Sequence, residues 1–331
     1  MNNCTVIIHA AGNKAIGIGN LVRCYELYRT LKDKYNFKII TIFECDNAMF
    51  NFINNDKFDI FRFDSRSESI EFFYRLNKTQ KYIYISDIID QTAEVENIFR
   101  SCPDSKILHL NDSGLDSFNP DVIIDGDIFA KPWNRDNGIV LQSPKYHIVK
   151  HDIAVCRPKS YWKNSSVQSI LICFSGSDPA GYTEKLLNEL QSYQGYKHFT
   201  FILGPGFSRD RVSHITENNK DFVTVLVNVT DMASVILEHD VVVSLGGGVV
   251  YEAMLLGRPC LGVGWQYLEY YIDQMELFGV IKKIDSNNML SEIEFYTDDI
   301  KLLQNMADKA WQNIDDLGAV RISDYIYESL R

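Results

Sequence analysis

Short apolar runs alternate with helix-length segments along the whole chain of 331 residues, and this alternation most constrains the fold. In the first half it begins with a strand-like run at Thr5–Ala10 and a helical spacing of apolar residues over Asn20–Lys34, and it continues to Val122–Ile124. It restarts at Ser169–Phe174 and continues to Pro259–Val263. Because successive strand, helix and strand form a crossover unit with parallel strands, we predict two doubly wound, Rossmann-like α/β domains.

The two halves are separated by the segment Ala130–Pro158, which lacks clear periodicity and holds three of the eight prolines. Such segments are typical of linkers, and we place the linker around His151–Asn164. This gives a first domain over residues 1–155 and a second over residues 165–331, the second closed by two helices. We expect the domains to face each other across a cleft, with ligand bound at the carboxyl ends of the strands.

Composition and charge exclude several classes of protein. The net charge of −11 argues against nonspecific binding to nucleic acid or to an anionic membrane. No apolar run approaches the roughly 20 residues of a membrane span, and the start lacks the basic region of a signal peptide. The seven cysteines include no CxxC pair, which predicts free thiols and a cytoplasmic location. Cysteine and histidine do not cluster, so we expect no metal and no other cofactor.

The strongest local motif is a buried-type strand, a triple-glycine turn and a helix, in VVVSLGGGVVYEA from Val241. Gly246, Gly247 and Gly248 let backbone N–H groups approach a ligand, and the following helix N-terminus suits a phosphate. Glu252, one turn into the helix, could accept both hydroxyls of a ribose. The spacing fits neither a P-loop nor a GxGxxG dinucleotide motif. The alternative is a tight turn in which Glu252 is an ordinary helix charge.

A second glycine-containing turn follows the first predicted strand. Gly17 and Gly19 permit close approach of a ligand, and Asn20 and Arg23 lie at the start of the next helix. A third turn, CFSGSDP, follows the first strand of the second half, where Gly176 and Ser177 either line the cleft or only cap the next helix.

Several acids lie at the ends of predicted strands. Asp87 and Asp112 would face the cleft, and either could serve as a general base, the alternative being a helix cap or a turn residue. Asp125 and Asp127 form a DxD string, but it follows a strand of an α/β domain and is not expected to bind a metal. His9 lies inside the first predicted strand, so we expect a packed core histidine.

These motifs resemble those of GT-B enzymes. The second half, over Val223–Val263, resembles the donor domain of the lipid II-forming N-acetylglucosaminyltransferases. The first half resembles the nucleotide-sugar hydrolases of pseudaminic acid biosynthesis and their spore-coat polysaccharide relatives. The matching stretches are GIGNLVRC at Gly17–Cys24 and SPKYHIV at Ser143–Val149, and the match to the hydrolases continues into the second half with ICFSGSDP at Ile172–Pro179. The resemblance spans nearly the whole chain and implies a GT-B fold and a nucleotide-sugar ligand.

The resemblance also implies roles for single residues. It implies that backbone groups near Val229 and Met232 read a uracil base. The hydrolase family carries a His, expected to activate water, where this chain has Asn20, and an asparagine cannot act as a general base near pH 7. The family has an Asn-Gln pair where this chain has Trp265 and Gln266, so Gln266 remains as a candidate for substrate binding.

A retained donor pattern with altered acceptor chemistry predicts an inverting, metal-independent glycosyltransferase that uses a UDP-linked sugar. Surface-glycan or amino-sugar biosynthesis is the expected context. No E-x7-E pair follows the glycine turn, because Cys260 stands eight residues after Glu252. Two alternatives stay open: a nucleotide-sugar hydrolase whose base is Asp87 or Asp112, and a non-catalytic protein that binds nucleotide sugars.

Overall fold

A computed structural model describes residues 4–13, 17–53, 60–110, 117–129, 138–217 and 220–329. The chain divides into two compact units. The first comprises Met1–Asp127, Pro132–Lys150 and Leu317–Arg331, and the second Ile128–Lys131 and His151–Asp316. No helix in the described part of the chain is both long and apolar enough to cross a membrane.

The first unit contains a parallel sheet of seven strands in the order β3-β2-β1-β4-β5-β6-β7. The strands are β1 (Cys4–Ala11), β2 (Lys38–Glu44), β3 (Ile60–Phe63), β4 (Lys81–Asp87), β5 (Lys106–His109), β6 (Val122–Asp125) and β7 (Ile139–Gln142). The helices are α1 (Gly19–Lys34), α2 (Asn47–Ile53), α3 (Arg66–Tyr74) and α4 (Ala93–Arg100), with a 3-10 turn at Pro144–Tyr146. Val6, Ile7 and Ile8 are fully buried, as expected of a central strand with both faces covered.

The second unit contains a parallel sheet of six strands in the order β10-β9-β8-β11-β12-β13. The strands are β8 (Ser169–Cys173), β9 (His198–Leu203), β10 (Val223–Val227), β11 (Val241–Ser244), β12 (Cys260–Val263) and β13 (Ile281–Ile284). The helices are α5 (His151–Ala154), α6 (Tyr182–Glu189), α7 (Arg209–Glu217), α8 (Met232–Leu237), α9 (Gly248–Leu255), α10 (Leu268–Phe278), α11 (Met289–Asp298) and α12 (Ile300–Asn313), with a 3-10 turn at Leu190–Ser192.

The last helix, α13 (Gly318–Glu328), returns to the first unit, although our sequence-based division gave it to the second domain. It packs against α1, and its Ile322 and Ile326 belong to the core of the first unit. The rings of Tyr35 and Tyr327 stack there with centroids 4.4 Å apart. The first unit is therefore not one continuous segment of the chain, because the apolar residues of α13 pack against α1.

The predicted fold class, two doubly wound α/β units, is confirmed. Elements that the sequence analysis missed include β7, β13, α7 and α10. The expected linker at His151–Asn164 begins with the short helix α5.

Each sheet has one topological switch point, at which the chain reverses the direction of winding. β1 lies between β2 and β4, and β8 lies between β9 and β11. Ligands of open α/β sheets bind outside the carboxyl ends of the strands at such points. We call residues 17–23 together with Asp87 the first switch point, and residues 175–178 together with 245–248 the second.

Candidate functional site

The glycine turn at the second switch point leaves the N-terminus of α9 open. Gly246 and Gly247 have φ values of 102° and 72°, which favour glycine. Gly247 is the N-cap residue and, having no side chain, makes no capping bond to the helix. A Cβ added at Gly247 or Gly248 would meet no atom of the described residues within 4 Å. The first amides of α9 therefore adjoin open space, and the helix dipole favours an anion there.

The neighbouring loop after β8 caps the next helix and also contains a glycine with space beside it. The carboxylate of Asp178 accepts hydrogen bonds from the backbone N–H groups of Tyr182 (3.1 Å) and Thr183 (2.7 Å), and so caps α6. Gly176 is exposed, and a Cβ added to it would meet nothing within 4 Å. The capping alternative therefore applies at Asp178, and a contact of Gly176 and Ser177 with a ligand stays a prediction.

Unusual backbone conformations concentrate at the carboxyl ends of the second sheet. Among the described residues, five non-glycine residues have positive φ, and four of them follow β8, β10 or β12: Ser175, Asp178, Asn228 and Gln266. Such conformations cost free energy and cluster at functional sites. This edge of the second unit is therefore distinguished by backbone geometry as well as by its glycines.

The other predicted residues of the second unit lie on neighbouring loops and helices. Val229 and Met232 are half-buried after β10 and at the start of α8. Glu252 lies one turn into α9 and is 7% exposed, and Gln266 is exposed after β12. Because β11 pairs with β8 and β12, the loops with Gly176, the glycine turn and Gln266 follow adjacent strands.

The first switch point is occupied by side chains that bond one another. Arg23 donates to both carboxylate oxygens of Asp87, from Nε at 2.9 Å and from Nη2 at 2.8 Å, and Asp87 is fully buried. Asn20 donates from Nδ2 to the backbone oxygen of Asp87 (3.2 Å) and accepts from Arg23 Nη2 at Oδ1 (3.2 Å). Three predicted residues are thus brought together, with the Asp87 carboxylate bound to a guanidinium. The predicted Asp112 lies outside the described residues.

The two predicted glycines of the first unit are also open. Gly17 has a φ of 79°, and Gly19 is the first residue of α1. A Cβ added to either would meet nothing within 4 Å.

The DxD string has a local structural role. The carboxylate of Asp125 accepts from the backbone N–H of Asp127 at 2.9 Å and from Gln142 Nε2 at 3.0 Å. Asp125 therefore fixes the turn after β6. Within the described residues, no group of three or more His, Cys, Asp or Glu side chains is arranged to hold a metal.

His147, which is not among the predicted site residues, lies beside this turn. Burial, and then the charge of Arg23, lower the pKa of His147 to about 3. Its Nδ1 lies 3.9 Å from Oδ1 of Asp127, and both residues line a cavity of about 10 Å³ with Arg23. That volume suits a single water molecule. Gly126 is required here, because a Cβ would lie 2.6 Å from the His147 Cα. The only sequence signal was its place in the SPKYHIV stretch.

Two predictions about residues outside the candidate site are confirmed. His9 is fully buried, and its ring nitrogens lie 2.6 Å from the Tyr84 hydroxyl and 2.7 Å from the Glu44 carboxylate. All seven cysteines are free thiols.

The sequence is similar to two curated proteins, and no family model matches it. An uncharacterized protein of Methanocaldococcus jannaschii is 24% identical over 268 residues, which cover 77% of this chain and 54% of the archaeal protein. The spore coat polysaccharide biosynthesis protein SpsG of Bacillus subtilis is 23% identical over 261 residues, which cover 77% of this chain and 75% of SpsG. The chain thus spans about half the length of its archaeal relative.

Solved structures resemble the chain over nearly its whole length. Staphylococcus aureus MnaA in complex with UDP has a TM-score of 0.67 and 13% identity, covering 99% of this chain and 97% of MnaA. Acinetobacter baumannii MurG has a TM-score of 0.63 and 13% identity, covering 98% and 99%. The calicheamicin glycosyltransferase CalG4 has a TM-score of 0.64 and 9% identity, covering 100% and 99%. At these identities the likeness establishes the fold, and the protein therefore has the GT-B fold.

Proposed function

We propose that the protein is a glycosyltransferase that uses a UDP-linked sugar as donor. The observation that carries the proposal is the uncapped N-terminus of α9, which adjoins open space behind a triple-glycine turn at a switch point. Backbone amides and the helix dipole favour a diphosphate there. The UDP present in the MnaA complex and the pathway named for SpsG support a nucleotide sugar in glycan biosynthesis.

The proposed donor site lies entirely in the second unit. The diphosphate binds at Gly246–Gly248, and Glu252 binds the ribose from one turn further into α9. Uracil lies near Val229–Met232, Gly176 and Ser177 approach the donor from the loop after β8, and Gln266 contacts the sugar.

In the proposed reaction the first unit supplies the acceptor side. Gly17 and Gly19 leave room for the acceptor, and Asn20 and Arg23 contact it. The base that accepts the proton of the attacking group is Asp112. The other candidate, Asp87, is fully buried and bonded to Arg23 at both carboxylate oxygens, so it is not available to the acceptor. The reaction inverts the configuration of the anomeric carbon. It needs no metal, because the amides and the helix dipole of α9 stabilise the leaving diphosphate.

The test is incubation with a panel of UDP-N-acetylhexosamines, with and without cell extract as a source of acceptors, followed by NMR. If the protein is a glycosyltransferase, UDP is released only when the extract is present, and its release continues in EDTA. Release of a free sugar without any acceptor would instead establish the hydrolase, and UDP binding without turnover in either mixture would establish a non-catalytic binding protein. Loss of activity in EDTA, restored by magnesium, would contradict the metal-independent mechanism.

A further inference from the structure

Arg211 of helix α7 holds the loop of residues 175–178 at the second switch point. Helix α7 follows β9, whereas the loops of this switch point follow β8 and β11. Arg211 donates from Nη1 to the backbone oxygen of Ser177 at 2.8 Å and from Nη2 to that of Asp178 at 3.4 Å. Ser175 and Asp178 both have positive φ, at 70° and 41°. Because such conformations are costly for residues with a Cβ, the loop needs bonds of this kind to keep them.

The guanidinium of Arg211 is itself fixed in place. It donates to both carboxylate oxygens of Glu184, from Nε at 2.7 Å and from Nη2 at 2.9 Å. It also lies over the ring of Phe207, 4.3 Å from the centroid. A hydrogen bond from Arg211 lowers the pKa of Glu184, which keeps this carboxylate ionised. The planar fork of an arginine suits this arrangement, whereas a lysine could satisfy only part of it.

Two glycines in the turn after β9 contact the backbone of the same loop. Gly206 donates from its backbone N–H to the oxygen of Gly176 at 2.9 Å. A Cβ on Gly204 would lie 2.5 Å from that same oxygen, so the turn after β9 is in direct backbone contact with the loop. The Cβ position of Gly176 nevertheless adjoins open space. The loop is therefore fixed by Arg211 and by the turn after β9, and remains open where a ligand would approach.

We propose that Arg211 is a positioning residue for the nucleotide-sugar donor, holding the backbone of Gly176–Asp178 in the conformation that receives it. This inference rests on the proposed function, because the loop matters for affinity only if the donor binds at the second switch point. Arg211 acts through the loop. Its loss should therefore raise the KM for the donor more than it changes kcat.

The test compares Arg211→Gln with Arg211→Lys and with the matched control Arg100→Gln. Arg100 makes an equivalent set of bonds in the first unit: its Nη1 donates to both oxygens of Asp121 at 2.7 and 2.9 Å, and its Nη2 donates to the Asn119 backbone oxygen at 3.0 Å. The two arginines are similarly exposed, at 31% and 36%. UDP affinity is measured by calorimetry, thermal stability by scanning calorimetry, and KM and kcat on the UDP-sugar that the wild type uses.

We expect Arg211→Gln to weaken UDP binding at least about fivefold and to raise KM by a similar factor, with kcat changed by less than about twofold. Arg211→Lys should fall between this variant and the wild type. Arg100→Gln should lose a similar amount of thermal stability while binding UDP as the wild type does. Equal UDP affinity in Arg211→Gln and the wild type would overturn the inference alone. A wild type that does not bind UDP would overturn the proposed function, and the inference with it.

Discussion

The two switch points share one topology but differ in what faces their open edge. At the first, the side chains of Arg23, Asp87 and Asn20 bond one another across two elements of the unit. At the second, the glycine turn has no side chains, and the Cβ positions of Gly247 and Gly248 adjoin open space. The first switch point therefore contains a cluster of side chains bonded to one another, whereas the glycine turn of the second contains only backbone.

This difference predicts opposite responses to mutation. A site of bonded side chains is damaged when a group is removed, because its buried partner then loses its counter-ion. A site of exposed amides is damaged when a group is added, because a methyl group takes the space through which a ligand approaches. Substitutions at the two switch points therefore test this difference.

The largest expected effect is on stability at the first switch point. Asp87→Asn keeps the shape of the side chain but leaves the Arg23 guanidinium without its buried counter-ion. Leaving a buried charge unpaired lowers the free energy of unfolding by about 3–5 kcal/mol, and because the Arg23 side chain is 25% exposed we expect a loss near the lower end of that range. Urea unfolding measures this loss. The control Glu71→Gln removes an ion pair with Arg75 whose side chains are 70% and 80% exposed, and should leave unfolding unchanged. An Asp87→Asn variant as stable as the wild type would show that the pair is not what holds the first switch point.

Local patterns are sufficient to predict much of the second switch point. Its strands are short apolar runs and its turn is a run of glycines, so both the fold class and the open turn are visible in contiguous sequence. Arg23 and Asp87 are individually recognisable candidates. Their bond joins residues 64 positions apart, and only the parallel pairing of β1 with β4 brings them together.

Other features depend on tertiary contacts that have no local signature. His147 owes its low pKa to burial and to Arg23, and neither is encoded in the residues around it. Helix α13 follows the second unit in sequence yet completes the core of the first. The helix α7 contains only two apolar residues, Val212 and Ile215, which are too few to mark a helix in the sequence, so Arg211 could not be placed on one.

The next effect concerns binding at the second switch point. Glu252→Ala should weaken UDP binding by about 1.5–3 kcal/mol, the range for hydrogen bonds that involve a charged group. Calorimetry with UDP measures it. Glu238→Ala, at the exposed C-cap position of α8 in the same unit, is the control and should bind UDP like the wild type. Unchanged affinity in Glu252→Ala would show that Glu252 does not bind the ribose, and this residue would then leave the proposed site.

A smaller effect is expected in the pH dependence of stability, because His147 lies beside the first switch point. Its folded pKa is about 3, whereas an unfolded histidine has a pKa of about 6.5. Below pH 6.5 the unfolded chain binds a proton that the folded chain does not, so stability falls as the pH falls. At pH 5 the loss from this residue is about 2 kcal/mol relative to neutral pH.

The measurement is urea unfolding of the wild type and His147→Gln at pH 7 and pH 5. Both proteins retain the buried His9, so the difference between their pH dependences isolates His147. The variant should lose less stability on acidification than the wild type. Parallel losses in the two proteins would mean that His147 is protonated in the folded state at pH 5.

The smallest expected effect comes from making the same change at both switch points, which tests most directly how the two differ. Gly19 and Gly248 are each the first residue of a helix, and an added Cβ meets nothing within 4 Å at either. Both alanine variants should therefore fold with the stability of the wild type. Gly248→Ala should weaken UDP binding about tenfold, or about 1.4 kcal/mol, because its methyl group enters the space in front of the α9 amides. Gly19→Ala should bind UDP unchanged. Equal UDP affinities in the two variants would show that the diphosphate does not approach the second switch point through its open glycines.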